Sequence, residues 1–218
     1  MNKNFKCVAF DLDGTLIDSG PDLLDSLNFV LQNNHLNTIN SSIIGNLVGG
    51  GAEAMIRRGY AYLNKKLDEK IIPELINQFL EYYKSNCTKK TKLYPNIIEI
   101  LKSLKEKEIK ICICTNKRQY LAEKIIKELQ IDNFFDVIVG SQKSIQLKPS
   151  TEMLKIFLKK LSLKPKDVIF IGDSTKDIIP ANILGMTSVF VKYGYGKIKE
   201  SNKADFQISN AKELENFF

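Results

Sequence analysis

The stretch that decides the fold reads CVAFDLDGTL, at residues 7–16. Its first four residues are apolar, which is typical of a short strand buried on both faces. The strand ends at two carboxylates, Asp11 and Asp13, and Gly14 follows them. Alternate side chains of a strand share one face, so the two acids would point the same way if the strand continued. Gly14 predicts a sharp turn instead. We therefore expect a buried strand whose carboxyl end presents two acids.

Two neighbouring carboxylates repel each other unless a cation holds them or one of them takes a proton. The pair suits a hard metal such as Mg²⁺ and a division of work between a nucleophile and a general acid/base. A solvated acidic turn would carry the same residues, and for an isolated Asp-x-Asp-Gly that simpler interpretation is favoured. Motifs elsewhere in the chain are needed to distinguish a catalytic acid pair from a solvated acidic turn.

Strand-like and helix-like segments alternate along most of the chain. Apolar, β-rich runs occupy residues 5–10, 110–114, 136–139, 168–171 and 188–191. Apolar residues at helical spacing occupy residues 96–107, 121–129 and 153–161. This alternation predicts an α/β fold with a Rossmann-like parallel sheet covered by helices on both faces.

The interval between the first two strands is too long for a single crossover. Residues 17–92 show no convincing strand but contain several amphipathic helical runs. We therefore predict two domains. Residues 1–16 and 93–218 would form the α/β catalytic core, and residues 17–92 an inserted all-helical cap.

Composition narrows the class of protein. His35 is the single histidine, which excludes Ser-His and Cys-His catalysis and histidine metal sites. The four cysteines are expected to be reduced, as in a cytoplasmic protein.

No signal region or membrane-spanning run is present in the sequence, so we expect a cytoplasmic location and no membrane partner. The net charge is +7, but the lysines are scattered along helix faces among glutamates, which favours a solvated surface over nucleic-acid binding. The mild positive field would attract an anionic small substrate.

Polar clusters follow four of the predicted strands. They are Asp11, Asp13 and Thr15; Thr115, Asn116 and Lys117; Lys148 and Pro149; and residues 172–177. Ligands of open α/β sheets bind outside the carboxyl ends of the strands, so one site could receive all four clusters. A carboxylate nucleophile, a lysine that neutralises phosphate charge, hydroxyl and amide donors and a second acid are what phosphoryl transfer through an aspartyl intermediate requires.

These residues resemble the haloacid dehalogenase superfamily of phosphohydrolases. Its four motifs match, in order, Asp11-Leu12-Asp13-Gly14-Thr15, Thr115-Asn116, Lys148, and Gly172-Asp173 with Asp177.

The resemblance implies a role for each matching residue. Asp11 would be the nucleophile and Asp13 the general acid/base. Thr115, Asn116 and Lys148 would bind the phosphate, with Lys148 also counted among the catalytic residues.

The same resemblance implies a metal site. Asp11 and Asp173 would ligate Mg²⁺, together with the backbone carbonyl of Asp13. Asp177 would be a further ligand or would hold one in place. The dehalogenases of this superfamily lack the second aspartate of the first motif, so Asp13 favours phosphate chemistry.

Finer similarity to the phosphoglycolate phosphatase branch runs over nearly the whole chain. It includes residues 18–23, the glycine-rich stretch at residues 47–58 and the Tyr-Gly-Tyr-Gly sequence at residues 193–196. Gly50 departs from the branch, which often has Asn there. We expect Gly49 and Gly51 to bind a substrate carboxylate through backbone N–H groups.

The sequence thus predicts a Mg²⁺-dependent phosphomonoester hydrolase, with 2-phosphoglycolate as the leading substrate, acting as a monomer or homodimer. Phosphatases for a sugar phosphate, a nucleotide or pyrophosphate are the alternatives within the superfamily. A β-phosphoglucomutase-like mutase is less favoured, because such mutases commonly carry a bulky apolar residue where Thr15 stands. A catalytically idle binding protein on the same fold is disfavoured by the intact acids and Lys148.

Overall fold

The computed structural model describes residues 5–198 and 203–218. The chain divides into two compact units, one of Met1–Asp18 with Leu93–Phe218 and one of Ser19–Lys92. The first boundary lies two residues beyond the predicted one. That the two units act as a catalytic core and a cap stays a prediction.

The first unit is built on a six-stranded parallel sheet. Its strands are β1 (Cys7–Phe10), β4 (Lys110–Arg118), β5 (Val137–Ser141), β6 (Val168–Gly172), β7 (Thr187–Val191) and β8 (Phe206–Ile208). Their order across the sheet is β5-β4-β1-β6-β7-β8. The helices are α5 (Ile97–Glu106), α6 (Gln119–Glu128), α7 (Glu152–Lys160) and α8 (Thr175–Leu184), and a 3₁₀ helix spans Ala211–Phe217. The predicted α/β parallel-sheet fold is confirmed.

The continuous apolar runs form the centre of this sheet. All four residues of β1 are fully buried, and β1 pairs in parallel with β4 on one side and with β6 on the other. Phe157 and other side chains of α7 belong to the same buried hydrophobic cluster as Cys112 and Phe170 of the sheet. The strands need no alternation of polar residues, because helices cover both faces.

The strand order reverses at β1. After β1 the chain continues to β4 and β5 on one side of the sheet, and only then returns to β6, β7 and β8 on the other. The crevice outside the carboxyl ends of β1 and β6 is therefore the switch point at which such sheets bind ligands. Asp11 and Asp173 follow these two strands directly.

The structure adds elements that the sequence patterns did not predict. β8 adds an edge strand to the sheet, and a 3₁₀ helix, Ala211–Phe217, follows it. A separate two-stranded sheet contains β2 (Ile17–Asp18) and β3 (Lys92–Leu93), where no strand was predicted. The predicted strand at residues 110–114 continues to Arg118, with an irregular register between Cys114 and Arg118.

The second unit is helical. It contains α1 (Gly20–Asn33), α2 (Ile44–Leu47), α3 (Gly51–Tyr62) and α4 (Ile72–Asn86). The buried Asp22 closes it, because its carboxylate accepts hydrogen bonds from the backbone N–H groups of Lys90 and Thr91 and from the Thr91 hydroxyl. The start and the end of the insertion are thereby joined within this unit. None of the described helices of the chain has the length and apolarity to cross a membrane.

Candidate active site

The turn after β1 places Asp11 at the switch point. The Asp11 backbone N–H still donates to the Ile171 carbonyl of β6, at 2.9 Å. The chain then reverses over residues 12–17, where the Gly14 N–H donates to the Ile17 carbonyl. Gly14 has a φ of +83°, and a Cβ atom there would overlap the Asp173 carboxylate. Glycine is therefore required by both the backbone conformation and the space available.

The carboxylates of Asp11 and Asp13 have different surroundings. Lys117 Nζ lies 2.7 and 2.9 Å from the two carboxylate oxygens of Asp13. Asp11 faces Lys148 instead, with Nζ 3.0 Å from Oδ1. The two acids that the sequence places one residue apart are thus paired with two different lysines.

Lys148 is the centre of the charge network. Its side chain is 1% exposed, and Nζ lies 2.6 Å from Asp177 Oδ1. Nζ also donates to the Cys114 carbonyl at 2.6 Å. The Asn116 side chain holds the Lys148 backbone from both sides, since its amide group donates to the Lys148 carbonyl and its oxygen accepts from the Lys148 N–H. In this structure Asn116 positions Lys148, and its predicted contact with phosphate stays a prediction.

Asp11, Asp173 and Asp177 form an acidic cluster in which one oxygen from each lies within 4.8 Å of the others. Asp173 is buried and accepts from the backbone N–H groups of Tyr195 and Gly196. Asp177 contacts Lys148 with one oxygen and accepts from the N–H and hydroxyl groups of Ser174 with the other. Asp177 thus caps α8 and anchors Lys148, and whether it also ligates a metal stays a prediction.

Burial of these neighbouring carboxylates raises the pKa of Asp11 and of Asp173. Burial raises the pKa of Asp11 to about 6, although the charge of Lys148 opposes the rise. Burial and the charges of Asp177 and Asp11 raise the pKa of Asp173 to about 7, against the effect of its two backbone N–H donors. Burial by itself would lower the pKa of Lys148, but the charges of Asp11 and Asp177 more than offset it and raise that pKa above its usual value.

The donor set fits a hard divalent cation. All three members of the cluster offer carboxylate oxygens, the ligands that Mg²⁺ and Ca²⁺ prefer. Asp11 Oδ1 is buried and, among the described residues, has no hydrogen-bond partner, because Lys148 lies close to it without the direction of a hydrogen bond. A buried carboxylate oxygen that accepts no hydrogen bond is costly, and a metal ion would add to the compensation that the nearby Lys148 charge supplies.

The remaining predicted residues lie in different places. Thr115 is buried at the end of the regular part of β4, and its hydroxyl oxygen accepts from the Lys117 N–H at 3.2 Å. Gly49 and Gly51 belong to the second unit and have φ values of +98° and +85°. There the Arg58 guanidinium donates to the carbonyl of Gly49 and holds the glycine-rich turn. The role of these two glycines in substrate binding stays a prediction.

Sequence reasoning missed the contact between residues 193–196 and Asp173. Two N–H groups of that segment hold the Asp173 carboxylate, and the Tyr195 hydroxyl donates to Asp18. The alternation of tyrosine and glycine shortly after β7 is the sequence signal that could have indicated this close backbone approach.

Comparisons with known proteins agree with this arrangement. The family model for haloacid dehalogenase-like hydrolases matches residues 8–191. The phosphoglycolate phosphatase of Haemophilus influenzae is 34% identical over 209 residues, which cover 93% of each chain. That of Caulobacter vibrioides is 30% identical over 192 residues, or 88% of this chain and 81% of the relative. The crystal structure of a predicted phosphoglycolate phosphatase from Haemophilus somnus superposes with a TM-score of 0.89 at 30% identity, covering 99% of both chains.

Proposed function

Because this chain belongs to the haloacid dehalogenase-like hydrolases, we propose that it hydrolyses 2-phosphoglycolate with the help of Mg²⁺ and through an aspartyl-phosphate on Asp11. The phosphatase activity itself follows from the family and from its phosphoglycolate phosphatase relatives. The substrate, the metal, the residue roles and a cytoplasmic location are the parts that we propose.

The observation that carries the proposal is the position of Lys148 between Asp11 and Asp177. A carboxylate attacks a phosphate monoester only when the negative charge of the phosphate is neutralised. Lys148 is fully buried and held by Asn116 and Asp177, so its charge is fixed beside the proposed nucleophile. A lysine whose only function was to stabilise the fold would not need to lie 3.0 Å from a carboxylate oxygen that has no hydrogen-bond partner among the described residues.

The proposed reaction has two steps, transfer of the phosphoryl group to Asp11 and hydrolysis of the resulting acyl phosphate. Asp11 attacks phosphorus, the P–O bond to the leaving group breaks, and Asp13 gives a proton to the leaving oxygen. Asp13, now a carboxylate, takes a proton from water as the water oxygen attacks the same phosphorus, and the bond between phosphorus and the Asp11 oxygen breaks. Inorganic phosphate leaves, and Asp11 and the protonated Asp13 are restored.

Asp11 and Asp173 would hold Mg²⁺, with the Asp13 carbonyl and Asp177 as further candidates. The bound ion would supply Lewis-acid neutralisation of the phosphate oxygens. The acidic cluster supports this assignment, and so does the buried Asp11 oxygen that accepts no hydrogen bond from the described residues.

Two observations support 2-phosphoglycolate as the substrate. The curated relatives at 30–34% identity named above are phosphoglycolate phosphatases. Three exposed glycines at the start of α3, Gly49 to Gly51, each have a positive φ, and backbone N–H groups at a helix start are of the kind that bind a carboxylate.

A phosphate-release assay over a panel of phosphomonoesters, with and without Mg²⁺, tests the proposal. The panel should include 2-phosphoglycolate, a sugar phosphate, a nucleotide and pyrophosphate, and kcat/KM should be highest for 2-phosphoglycolate. A higher kcat/KM for another member would replace the substrate assignment. Full activity after thorough chelation would exclude the metal.

A further inference from the structure

We propose that residues 193–196 form a positioning loop that fixes the orientation of the Asp173 carboxylate and thereby sets the affinity of the site for its divalent cation. The inference rests on the proposed function, in which Asp173 is a metal ligand. It assigns a role to a segment, Tyr-Gly-Tyr-Gly, that the reaction itself does not use.

The loop occupies one oxygen of Asp173. The backbone N–H groups of Tyr195 and Gly196 both donate to Asp173 Oδ2, at 2.8 and 3.0 Å. With two donors on Oδ2, Oδ1 is the oxygen that remains for a cation, so a single orientation of the carboxylate is selected. Donors behind a ligating carboxylate orient it, and their loss typically weakens metal binding about 10-fold to 100-fold.

The approach of this loop to Asp173 requires glycine. A Cβ atom at Gly194 would overlap the Gly14 carbonyl and the side chain of Asp173, and one at Gly196 would overlap the Asp173 carbonyl. Neither position has a positive φ, so space is the reason for glycine here, in contrast to Gly14. A segment that only linked β7 to β8 would have no need of such close contact with an acidic residue.

Two tyrosines attach the same loop to the turn after β1 and to the β2 strand that follows the turn. The Tyr195 hydroxyl donates to Asp18, and the Tyr193 hydroxyl donates to the Thr15 carbonyl at 3.0 Å. The Tyr193 ring also packs against Tyr94, with ring centroids 4.7 Å apart. The loop therefore joins the turn that carries Asp11 and Asp13 to the strand end that carries Asp173.

This connection holds two carboxylates in place although their charges repel each other. Asp11 and Asp173 repel each other when no cation is bound, and mobile carboxylates would turn away from each other and from the site. Hydrogen bonds and close contacts from the loop resist that movement. The site is therefore prepared for the cation before the cation arrives, which lowers the cost of binding.

The test compares Gly196→Ala with Gly45→Ala. An added Cβ at Gly196 would overlap the Asp173 carbonyl, whereas one at Gly45, in α2, meets no atom within 4 Å. The Mg²⁺ dissociation constant of the full chain is measured by titration calorimetry without substrate. We expect it to rise about 10-fold to 100-fold in Gly196→Ala. In Gly45→Ala it should stay within about twofold of the wild type.

A second variant covers the case in which Gly196→Ala does not fold. Tyr195→Phe keeps the ring and the backbone N–H and removes only the hydroxyl that donates to Asp18. We expect a rise of about threefold or more in the Mg²⁺ dissociation constant. With either variant, the Mg²⁺ concentration for half-maximal activity should rise while kcat at saturating Mg²⁺ changes by less than about threefold.

The outcomes separate this inference from the proposed function. Folded variants that bind Mg²⁺ like the wild type overturn the role of the loop and leave the metal assignment intact. A wild type that binds no Mg²⁺ overturns the metal assignment, and the role of the loop with it.

Discussion

Lys117 Nζ binds both carboxylate oxygens of Asp13, at 2.7 and 2.9 Å, and its side chain is only 5% exposed. The backbone of Asp13 is fixed as well, because it pairs with Ile17 across the turn. The pair orients the side chain of the proposed general acid/base before substrate binds. Lys117 follows Asn116 directly, and the end of β4 therefore holds two residues of the proposed catalytic site, Lys148 through Asn116 and Asp13 through Lys117.

The first prediction concerns Lys117→Met. Without the ammonium group the Asp13 carboxylate loses its fixed orientation, so proton transfer to the leaving oxygen should suffer most. We expect kcat/KM for an alkyl phosphate such as 2-phosphoglycolate to fall about 10-fold to 100-fold, and that for 4-nitrophenyl phosphate, whose leaving group needs no proton, to fall less than about threefold.

Two comparisons make this prediction specific. Lys124→Met removes an ion pair with Glu128 on an exposed helix face and should change neither rate. In an Asp13→Asn background, Lys117→Met should have little further effect, since both substitutions act on the same proton transfer. Equal losses on both substrates would mean that Lys117 only stabilises the fold.

The second prediction concerns Asp11→Asn, which should abolish turnover because an amide cannot form the acyl phosphate. Burial already favours the neutral form of Asp11, with its pKa raised to about 6, so the neutral amide should leave the melting temperature of the metal-free protein unchanged or higher. Calorimetric melting together with a phosphate-release assay checks both parts. A variant with near-wild-type turnover contradicts the role of Asp11 as nucleophile.

The third prediction concerns Lys148→Met, which leaves the buried Asp177 without its charge partner. Removal of one member of a buried ion pair costs about 3–5 kcal/mol, and urea unfolding should show a loss of this size. Asp177→Asn added to Lys148→Met should recover much of it, because the uncompensated charge is then gone. The exposed Lys124→Met should cost less than about 0.5 kcal/mol.

Much of this fold and site could be predicted because residues that are close in sequence determine the strands and the acids at their ends. β1 and β6 are continuous apolar runs that end at acids, so both the strands and the positions of Asp11 and Asp173 follow from local pattern. β8 could not be predicted in this way, since Phe206–Ile208 is a three-residue strand at the sheet edge with two exposed residues.

Contacts between distant parts of the chain are the part that the sequence does not show. Asn116 and Lys148 are 32 positions apart, and only the folded sheet brings the amide of one to the backbone of the other. The same is true of Tyr195 and Asp173. A motif is matched by residue types and not by hydrogen bonds, so the contact of Asn116 with the Lys148 backbone could not be predicted from it.

The fourth prediction concerns pH and metal. Burial raises the pKa of Asp11 from 3.8 to about 6 and that of Asp173 from 3.8 to about 7. Between pH 3.8 and these raised pKa values, the two acids bind more protons in the folded protein than in the unfolded chain. Stability of the metal-free protein should therefore fall as pH rises through this window. Mg²⁺ should restore it, and the increase in melting temperature on adding Mg²⁺ should be larger at about pH 8 than at about pH 5, where protons compete for the same oxygens. Asp173→Asn should remove most of this difference, and an equal increase at both pH values would contradict the assignment of these acids.

The last prediction concerns the glycine-rich turn and substrate choice. Gly51 has a φ of +85° and open space around it, so Gly51→Val would strain the backbone and place a side chain where the N–H groups are exposed. If this turn binds the carboxylate of 2-phosphoglycolate, kcat/KM for that substrate should fall at least about tenfold, and that for 4-nitrophenyl phosphate, which has no carboxylate, by less than about threefold. Gly185→Val is the matched control, because Gly185 also has a positive φ and no neighbours within 4 Å but lies at the end of α8. It should lower the melting temperature in the same way and leave the ratio of the two kcat/KM values unchanged. A parallel loss on both substrates in Gly51→Val would show that the turn serves the folding of its own unit, and the carboxylate would then have to be bound elsewhere.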